Sequence, residues 1–377
     1  MPSVIYHPAY RNYSFGESHA FSPVRVEMML DLLEALGHHV ETIEPEPATR
    51  EDILGVHEDA YVRRVEALSV GEDVPDCETY GLGTPDNPAF PGMDEAARWL
   101  VGGALHGARL IWEKGEKRVL QLGGGLHHAR RNVASGFCIY NDLAIAIKAL
   151  TSHGLEVAYL DVDVHHGDGV QQILYDDMRV MTISVHESGR YLFPGTGETH
   201  ELGVGAARGL KLNLPLEPFT DGDSYLEVLD SIVPAALRQF EPRVLVVQAG
   251  ADAHFDDPLA DLMLTTGDYE GIFRRILGWA DEFTSGRVLF TLGGGYSLNA
   301  TPRVWALLYL LIHDLPVPRD LPQAWLSRWG NKFEKGWPMA LHDPNPGHAD
   351  VPNREEIAHR NRQTAQHLLA TARQYWF

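Results

Sequence analysis

The chain has 377 residues, of which 44% are hydrophobic, and its 31 Lys and Arg residues are outnumbered by 52 Asp and Glu residues. This length lets one large domain, or two smaller ones, bury a sizeable core, which excludes global disorder. The formal net charge of −21 argues against nucleic acid or an anionic membrane surface as a partner. Cationic small molecules or basic peptide segments are favoured instead.

Two cysteines, Cys77 and Cys138, are too few for a disulfide framework and lack the paired spacing of a structural zinc site. The N-terminal residues show no export signal, and the longest apolar run near the C-terminal end, residues 304–312, is too short to span a bilayer. We therefore expect a cytoplasmic protein with no membrane partner.

Continuous apolar runs alternate with longer amphipathic segments, a pattern typical of an α/β fold with a central parallel sheet flanked by helices. A first helix is predicted to have Ser22 as its N-cap and Pro23 as its first residue, and to end at Gly37. Strands are predicted at residues 119–122, 157–162, 180–185, 210–214, 244–248 and 288–292. Further helices are predicted near residues 93–114, 141–151, 222–240, 266–282, 299–312 and 354–375.

Two stretches rich in proline or glycine interrupt this pattern. Gly71 to Gly92 include four Gly and four Pro, which predicts a long surface loop. Pro316, Pro318 and Pro322 mark a second break. We therefore expect a main domain over residues 1–315 and an extension over residues 316–377 that packs on the same domain.

Four polar or glycine-rich clusters lie at the ends of predicted strands: Gly123–His128, Asp161–Asp168, Gly250–His254 and Gly293–Tyr296. Because ligands of open α/β sheets bind beyond the carboxyl ends of the strands, one crevice can collect all four clusters. The glycine runs lack the signatures of phosphate and dinucleotide loops, which excludes nucleotide binding. We expect them to let the backbone approach a narrow pocket.

Alternate side chains of an extended backbone share a face, so Asp161, Asp163 and His165 point the same way. Buried, aligned carboxylates need a cation, because desolvation and mutual repulsion would otherwise protonate at least one of them. Asp163, His165 and Asp252 form a ligand set typical of catalytic zinc, with Fe²⁺ or Co²⁺ as alternatives. Helix and turn capping would explain one isolated Asp better than it explains the whole cluster.

The His127–His128 pair follows a strand and a glycine run, and Asp161 and Asp168 are candidate partners that would orient the two rings. The His38–His39 pair instead lies beyond a predicted helix end, where solvated histidines are expected. Tyr296 alone would be an ordinary core or surface residue, but its place in the shared crevice makes it a candidate hydrogen-bond donor.

Together these residues resemble the zinc-dependent histone deacetylase superfamily, and they are most similar to its bacterial acetoin-utilisation, class I-like branch. The matching segments span most of residues 1–315: Leu126–Ala129, Ala134–Cys138, Asn141–Asp142, Asp161–Gly169, Phe193–Gly197, Gly250–Asp252 and Gly293–Tyr296. The resemblance implies a single arginase/deacetylase-like α/β domain with a metal at the base of a narrow tunnel.

The resemblance also implies a role for each matching residue. Asp163, His165 and Asp252 would bind Zn²⁺, and the catalytic residues would be His127, His128, Asp161, Asp168 and Tyr296. Substrate-binding positions at the tunnel wall and rim would be Asp86, Gly136, Phe137, Phe193 and Leu259. A K⁺ or Na⁺ ion beside the zinc would be held by oxygens of Asp161, Asp163, His165, Ser184 and Val185.

The implied function is a metal-dependent deacetylase that removes acetyl groups from N-acetyl-lysine side chains of proteins. A metal-activated water attacks the acetyl carbonyl, His128 acts as general base and then as general acid, and Tyr296 stabilises the oxyanion. The implied substrates are acetylated proteins, with acetyl-CoA synthetase as one candidate, and acetylated polyamines are the alternative.

Two other functions stay open at this point. An arginase-like ureohydrolase would bind two metals, but Gly167 stands where that family has a bridging Asp, and His254 stands at the middle position of its second motif. A non-catalytic acetyl-lysine reader on the same fold would not need Tyr296 together with the His128 and Asp168 pair.

Overall fold

A seven-stranded sheet forms the centre of the protein in the computed structural model, which describes residues 2–333, 336, 338, 340–344, 351 and 353–376. The strands are β1 (Ser3–Ile5), β2 (Arg118–Gln121), β3 (Val157–Asp161), β4 (Val180–Glu187), β5 (Lys211–Leu216), β6 (Val244–Ala249) and β7 (Val288–Leu292). Their spatial order is β1-β2-β7-β6-β3-β4-β5, and neighbouring strands are parallel. The predicted α/β class with a central parallel sheet is confirmed.

The helices of the described residues cover the sheet. They are α1 (Val24–Ala35), α2 (Arg50–Leu54), α3 (Asp59–Ser69), α4 (Met93–Lys114), α5 (Asp142–Ser152), α6 (Asp168–Ile173), α7 (Gly222–Phe240), α8 (Thr266–Phe283), α9 (Thr301–Ile312), α10 (Gln323–Trp329) and α11 (Arg354–Ala372). In β3, Ala158 and Leu160 belong to one apolar core, whereas Val157 and Tyr159 belong to the other. This alternation places one core on each face, which is why the central strands are continuous apolar runs.

The first helix differs from its prediction at the N-terminus. It begins at Val24, with Pro23 as the N-cap and no capping bond from a side chain, so the predicted Ser22 cap is wrong. The Ser22 carbonyl instead accepts hydrogen bonds from the backbone N–H and the Nε of Arg25. The loop from Gly71 to Gly92 contains one short 3₁₀ helix, Cys77–Tyr80.

The described residues after Ile312 pack back onto the sheet and its helices. The indole Nε1 of Trp325 on α10 donates to the Met28 carbonyl on α1 at 2.8 Å. The Asn361 amide on α11 donates to the hydroxyls of Thr220 and Ser224, at 2.8 and 3.0 Å, beside the start of α7. Among the described residues, no helix combines the length and the apolar character that a membrane crossing requires.

Candidate active site

The four clusters meet beyond the carboxyl ends of β2, β3, β6 and β7. Asp161, the last residue of β3, is paired in register with Ser184 of β4 and Gln248 of β6. The loops that follow these strands surround one cavity, whose lining includes Gly124, Gly125, His127, His128, Gly136, Phe137, Asp163, Gly294 and Tyr296. A parallel sheet brings these distant segments together because all its strands end at the same edge.

Asp163, His165 and Asp252 form a buried group whose ligand atoms lie within 4.8 Å of one another. The Nδ1 of His165 lies 3.1 Å from Asp163 Oδ1 and 3.2 Å from Asp252 Oδ2. Burial and the nearby Asp163 carboxylate raise the pKa of Asp252 to about 7. Two carboxylates at this separation need a cation to stay ionised together, so the donor set fits a divalent zinc ion.

Neighbouring groups fix the orientation of both carboxylates. Asp163 Oδ2 accepts hydrogen bonds from Gln248 Nε2 at 2.6 Å and from the Gly294 N–H at 2.9 Å. Asp252 Oδ1 accepts one from the Val164 N–H at 2.9 Å. Gln248 was not predicted as a site residue; its signal in the sequence is a polar residue near the end of an otherwise apolar, fully buried strand.

Each of the two adjacent histidines is paired with its own carboxylate. His127 Nδ1 lies 2.8 Å from Asp161 Oδ2, and His128 Nδ1 lies 2.7 Å from Asp168 Oδ1. Arg130, also missed from the sequence, binds Asp168 Oδ2 through two guanidinium nitrogens at 2.8 and 3.0 Å. Because a carboxylate binds Nδ1 of each ring, the Nε2 atom is available to interact with groups in the cavity.

The same surroundings give the two rings opposite protonation preferences. Burial lowers the pKa of His127, but the Asp161 and Asp163 carboxylates outweigh it and raise the value to about 9. For His128, burial and the charge of His127 lower the pKa to about 3, against the opposing effect of Asp168. These surroundings favour the protonated form of His127 and the neutral form of His128, a division typical of sites with separate electrostatic and proton-transfer roles.

Tyr296 lies at the turn after β7, where its backbone N–H donates to Asp257 Oδ2 at 2.7 Å. Arg25, also not predicted as a site residue, donates to the carbonyls of Gly293 and Gly295, and its guanidinium carbon lies 5.5 Å from the centre of the Tyr296 ring. Burial and the Asp252 carboxylate raise the pKa of Tyr296, so its hydroxyl keeps its proton and can donate a hydrogen bond.

Aromatic rings lie between the buried site and the surface. The Phe193 ring is 5.0 Å from the His128 ring and is 44% exposed, so it contacts both the site and solvent. The Phe137 ring lies 5.7 Å from the Tyr296 ring, at an angle of 82° to it. The preceding residue, Gly136, donates its N–H to Asp86 Oδ2 at 2.7 Å, which ties the long loop to the lining of the cavity.

Of the remaining predicted site residues, Leu259 is partly exposed, whereas Ser184 and Val185 are buried in β4. Leu259 is 36% exposed, and its N–H donates to Asp257 Oδ1 at 3.0 Å. Ser184 is buried beside Asp161, with its hydroxyl 2.9 Å from His186 Nδ1, and Val185 follows it on β4.

Comparisons with known proteins agree with this geometry. Residues 19–311 match the family described as the histone deacetylase domain. The acetoin utilization protein AcuC of Bacillus subtilis (strain 168) is 39% identical over 374 residues, covering 98% of this chain and 97% of that protein. AcuC of Staphylococcus aureus (strain MSSA476) is 34% identical, covering 97% of this chain and 96% of that protein.

Solved structures show the same fold. A crystal structure of an HDAC homolog complexed with SAHA has a TM-score of 0.86 at 27% identity, covering 97% of this chain and 99% of that one. The HDAC homolog from Aquifex aeolicus has a TM-score of 0.87 with the same identity and coverage. The chain therefore belongs to the histone deacetylase family, close to the acetoin-utilisation proteins, and is a deacetylase.

Proposed function

We propose that this deacetylase removes acetyl groups from N-acetyl-lysine side chains of proteins and that it uses one zinc ion bound by Asp163, His165 and Asp252. The proposal is carried by one observation. The three buried ligands, the two histidine–carboxylate pairs and Tyr296 line or adjoin a single cavity. This combination provides metal ligands, a neutral base and a hydroxyl donor at one place.

When bound, zinc would polarise the acetyl carbonyl and make a nearby water more acidic. His128 accepts a proton from the attacking water at Nε2 and then delivers it to the nitrogen of the leaving lysine. Asp168 and Arg130 hold its ring in place, and the cationic His127 adds electrostatic stabilisation. The Tyr296 hydroxyl donates a hydrogen bond to the oxyanion of the tetrahedral intermediate.

We also propose a K⁺ or Na⁺ ion near the last residue of β3 and residues 184–185 of β4. Its support is the placement of Asp161 beside Ser184 in register, with Val185 next along β4 and with Asp163 and His165 in the adjoining loop.

We propose that residues 1–315 form the catalytic domain and that residues 316–377 form an extension of it. The two free thiols, Cys77 and Cys138, support a reducing cytoplasm as the site of the reaction.

Proteins are favoured over polyamines as substrates by the surface around Phe193. Tyr191 and Phe193, two residues apart in one loop, are 61% and 44% exposed, and such apolar surface suits the backbone and side chains of a peptide. A polyamine has neither a peptide backbone nor side chains. Acetyl-CoA synthetase is the protein substrate that the family resemblance suggests testing.

An arginase-like two-metal reaction has less support. A Cβ atom at Gly167 would overlap the Asp161 carboxylate, so this backbone has no room for the bridging Asp of that family. Among the described residues, Asp163, His165 and Asp252 form the group whose ligand atoms lie close enough together to share one metal ion.

Acetate release from an acetyl-lysine peptide and from acetylated polyamines tests the proposal. Each substrate is measured with untreated protein, after chelation and after zinc is restored. We expect faster release from the peptide, loss on chelation and recovery with zinc. Faster release from polyamines would show that acetylated polyamines are the preferred substrates. Urea release from a guanidino substrate would instead support the arginase-like ureohydrolase, and peptide binding without acetate release would support the non-catalytic acetyl-lysine reader.

A further inference from the structure

The C-terminal extension contacts the active-site loops through Asp343, whose side chain is only 7% exposed. Asp343 Oδ2 accepts hydrogen bonds from His254 Nε2 at 2.8 Å and from the N–H and hydroxyl of Thr266, both at 2.9 Å. Its Oδ1 accepts one from Arg303 Nη2 at 2.9 Å. Both carboxylate oxygens are therefore used within the protein, and Arg303 balances the buried charge.

His254 connects Asp343 to the loop of residues 252–257. The His254 side chain is fully buried, and its Nδ1 accepts a hydrogen bond from the Asp256 N–H at 3.1 Å. A neutral imidazole carries one proton, so Nε2 must hold it and donate it to Asp343. The two hydrogen bonds fix both the tautomer and the position of the ring.

The loop 252–257 carries parts of the site at both ends. Asp252 is a proposed metal ligand, and Asp257 accepts the hydrogen bond from the Tyr296 N–H at 2.7 Å. Next to Asp257, the Asp256 carboxylate accepts a hydrogen bond from the Ser297 hydroxyl at 2.7 Å. A shift of this loop would therefore move a metal ligand and the turn that holds Tyr296 together.

We propose that Asp343 is a positioning residue of the deacetylase: through His254 it fixes the loop 252–257, and with it the placement of Asp252 and Tyr296. The extension is then a working part of the active site. This inference rests on the proposed metal site and reaction.

Two variants test this role, and a third is their control. Asp343→Asn keeps the size of the side chain but cannot accept bonds at both ends, so either His254 and Thr266 or Arg303 loses its partner. His254→Phe keeps an aromatic ring against Phe255, which stacks on His254, but removes both hydrogen bonds. Asp320→Asn makes the same charge change at an exposed position of the same extension.

The measurements are kcat and KM for an acetyl-lysine peptide, the rate of zinc loss to a chelator and the thermal unfolding midpoint. We expect kcat to fall about tenfold in Asp343→Asn and His254→Phe, with KM nearly unchanged, because misplacing reacting groups weakens transition-state binding more than substrate binding. Zinc should also leave both variants faster than the wild type, whereas Asp320→Asn should match the wild type.

Wild-type kcat and zinc loss in both variants would overturn the inference. It would also be overturned if the loss of activity only equalled the loss of folded protein at the assay temperature. If the wild type itself neither binds zinc nor releases acetate, that result contradicts the proposed function. The role of Asp343 is contradicted only by the variants of a wild type that does both.

Discussion

Tyr296 combines a fixed backbone with a hydroxyl that keeps its proton. Its N–H is bound by Asp257, its ring contacts Phe137 and Arg25, and burial with the Asp252 charge raises the pKa of its hydroxyl. These contacts depend on the backbone and the ring. Removing only the oxygen therefore isolates the contribution of the hydrogen bond.

We predict that Tyr296→Phe lowers kcat by roughly 10²–10³, the usual effect of losing one oxyanion donor, while zinc content and thermal midpoint stay unchanged. The measurements are the rate of acetate release, the zinc content and the thermal midpoint of the same preparation. Turnover close to that of the wild type would show that the hydroxyl does not stabilise the transition state.

Gly294 shows how closely the backbone approaches the metal ligands. A Cβ atom there would overlap the Asp252 carboxylate and lie 2.6 Å from Asp163 Oδ2. We predict that Gly294→Ala abolishes zinc binding, because one of the two carboxylates must move. Its control is Gly278→Ala on α8, where a Cβ atom meets open space and the change should add up to about 1 kcal/mol of stability. Equal zinc affinity in the two variants would contradict this packing.

At the scale of single elements, β5 begins with a lysine that is fully buried. The Lys211 ammonium donates to the carbonyls of Val180 at 2.5 Å and Asp177 at 3.2 Å, which ties β5 to the start of β4. Burial lowers the pKa of Lys211 to about 7, whereas the unfolded value is about 10.5. Between these two pH values the unfolded chain binds a proton that the folded chain has lost.

Stability should therefore rise with pH in this window, and the effect should disappear in Lys211→Met. We predict that the unfolding free energy of the wild type, minus that of Lys211→Met, increases from pH 7 to pH 10 by up to about 1.4 kcal/mol per pH unit. Urea unfolding at several pH values measures it, with the exposed Lys114→Met as control. A difference that stays constant with pH would contradict the prediction.

Most of the sheet could be predicted because buried parallel strands leave continuous apolar runs in the sequence. The helices at Met93–Lys114 and Gly222–Phe240 match their predictions. The strand Ser3–Ile5 was missed because three residues are too few to carry a periodic pattern. The short helices Arg50–Leu54 and Asp168–Ile173 were missed for the same reason.

The residues of the candidate site also include some that a sequence pattern indicates and some that it does not. Alternation along β3 and its following loop pointed to Asp163 and His165, because side chains two apart share a face. Arg25 and Asp343 could not be found in this way, because each acts through a contact between distant segments. The contact between Asp343 and His254, for example, joins residues 89 positions apart. Gln248 has a weaker signal, a polar residue near the end of an otherwise apolar strand.

At the scale of the whole molecule, the net charge of −21 should act on substrates before they reach the site. We predict that kcat/KM for an acetyl-lysine peptide flanked by Lys and Arg falls as ionic strength rises, because salt screens the attraction between the negatively charged protein and the positively charged peptide. A peptide of equal length flanked by Asp and Glu should show the opposite trend. Identical salt dependence for the two peptides would show that the overall charge does not influence substrate capture.

The most direct test of the central claim, one metal ion bound by Asp163, His165 and Asp252, is a zinc titration of metal-free protein with acetate release as the readout. We expect no release without zinc, a linear rise on addition and a plateau at one equivalent per chain, with no recovery in Asp252→Ala. Full acetate release by the metal-free protein, or a plateau at two equivalents, would contradict the account.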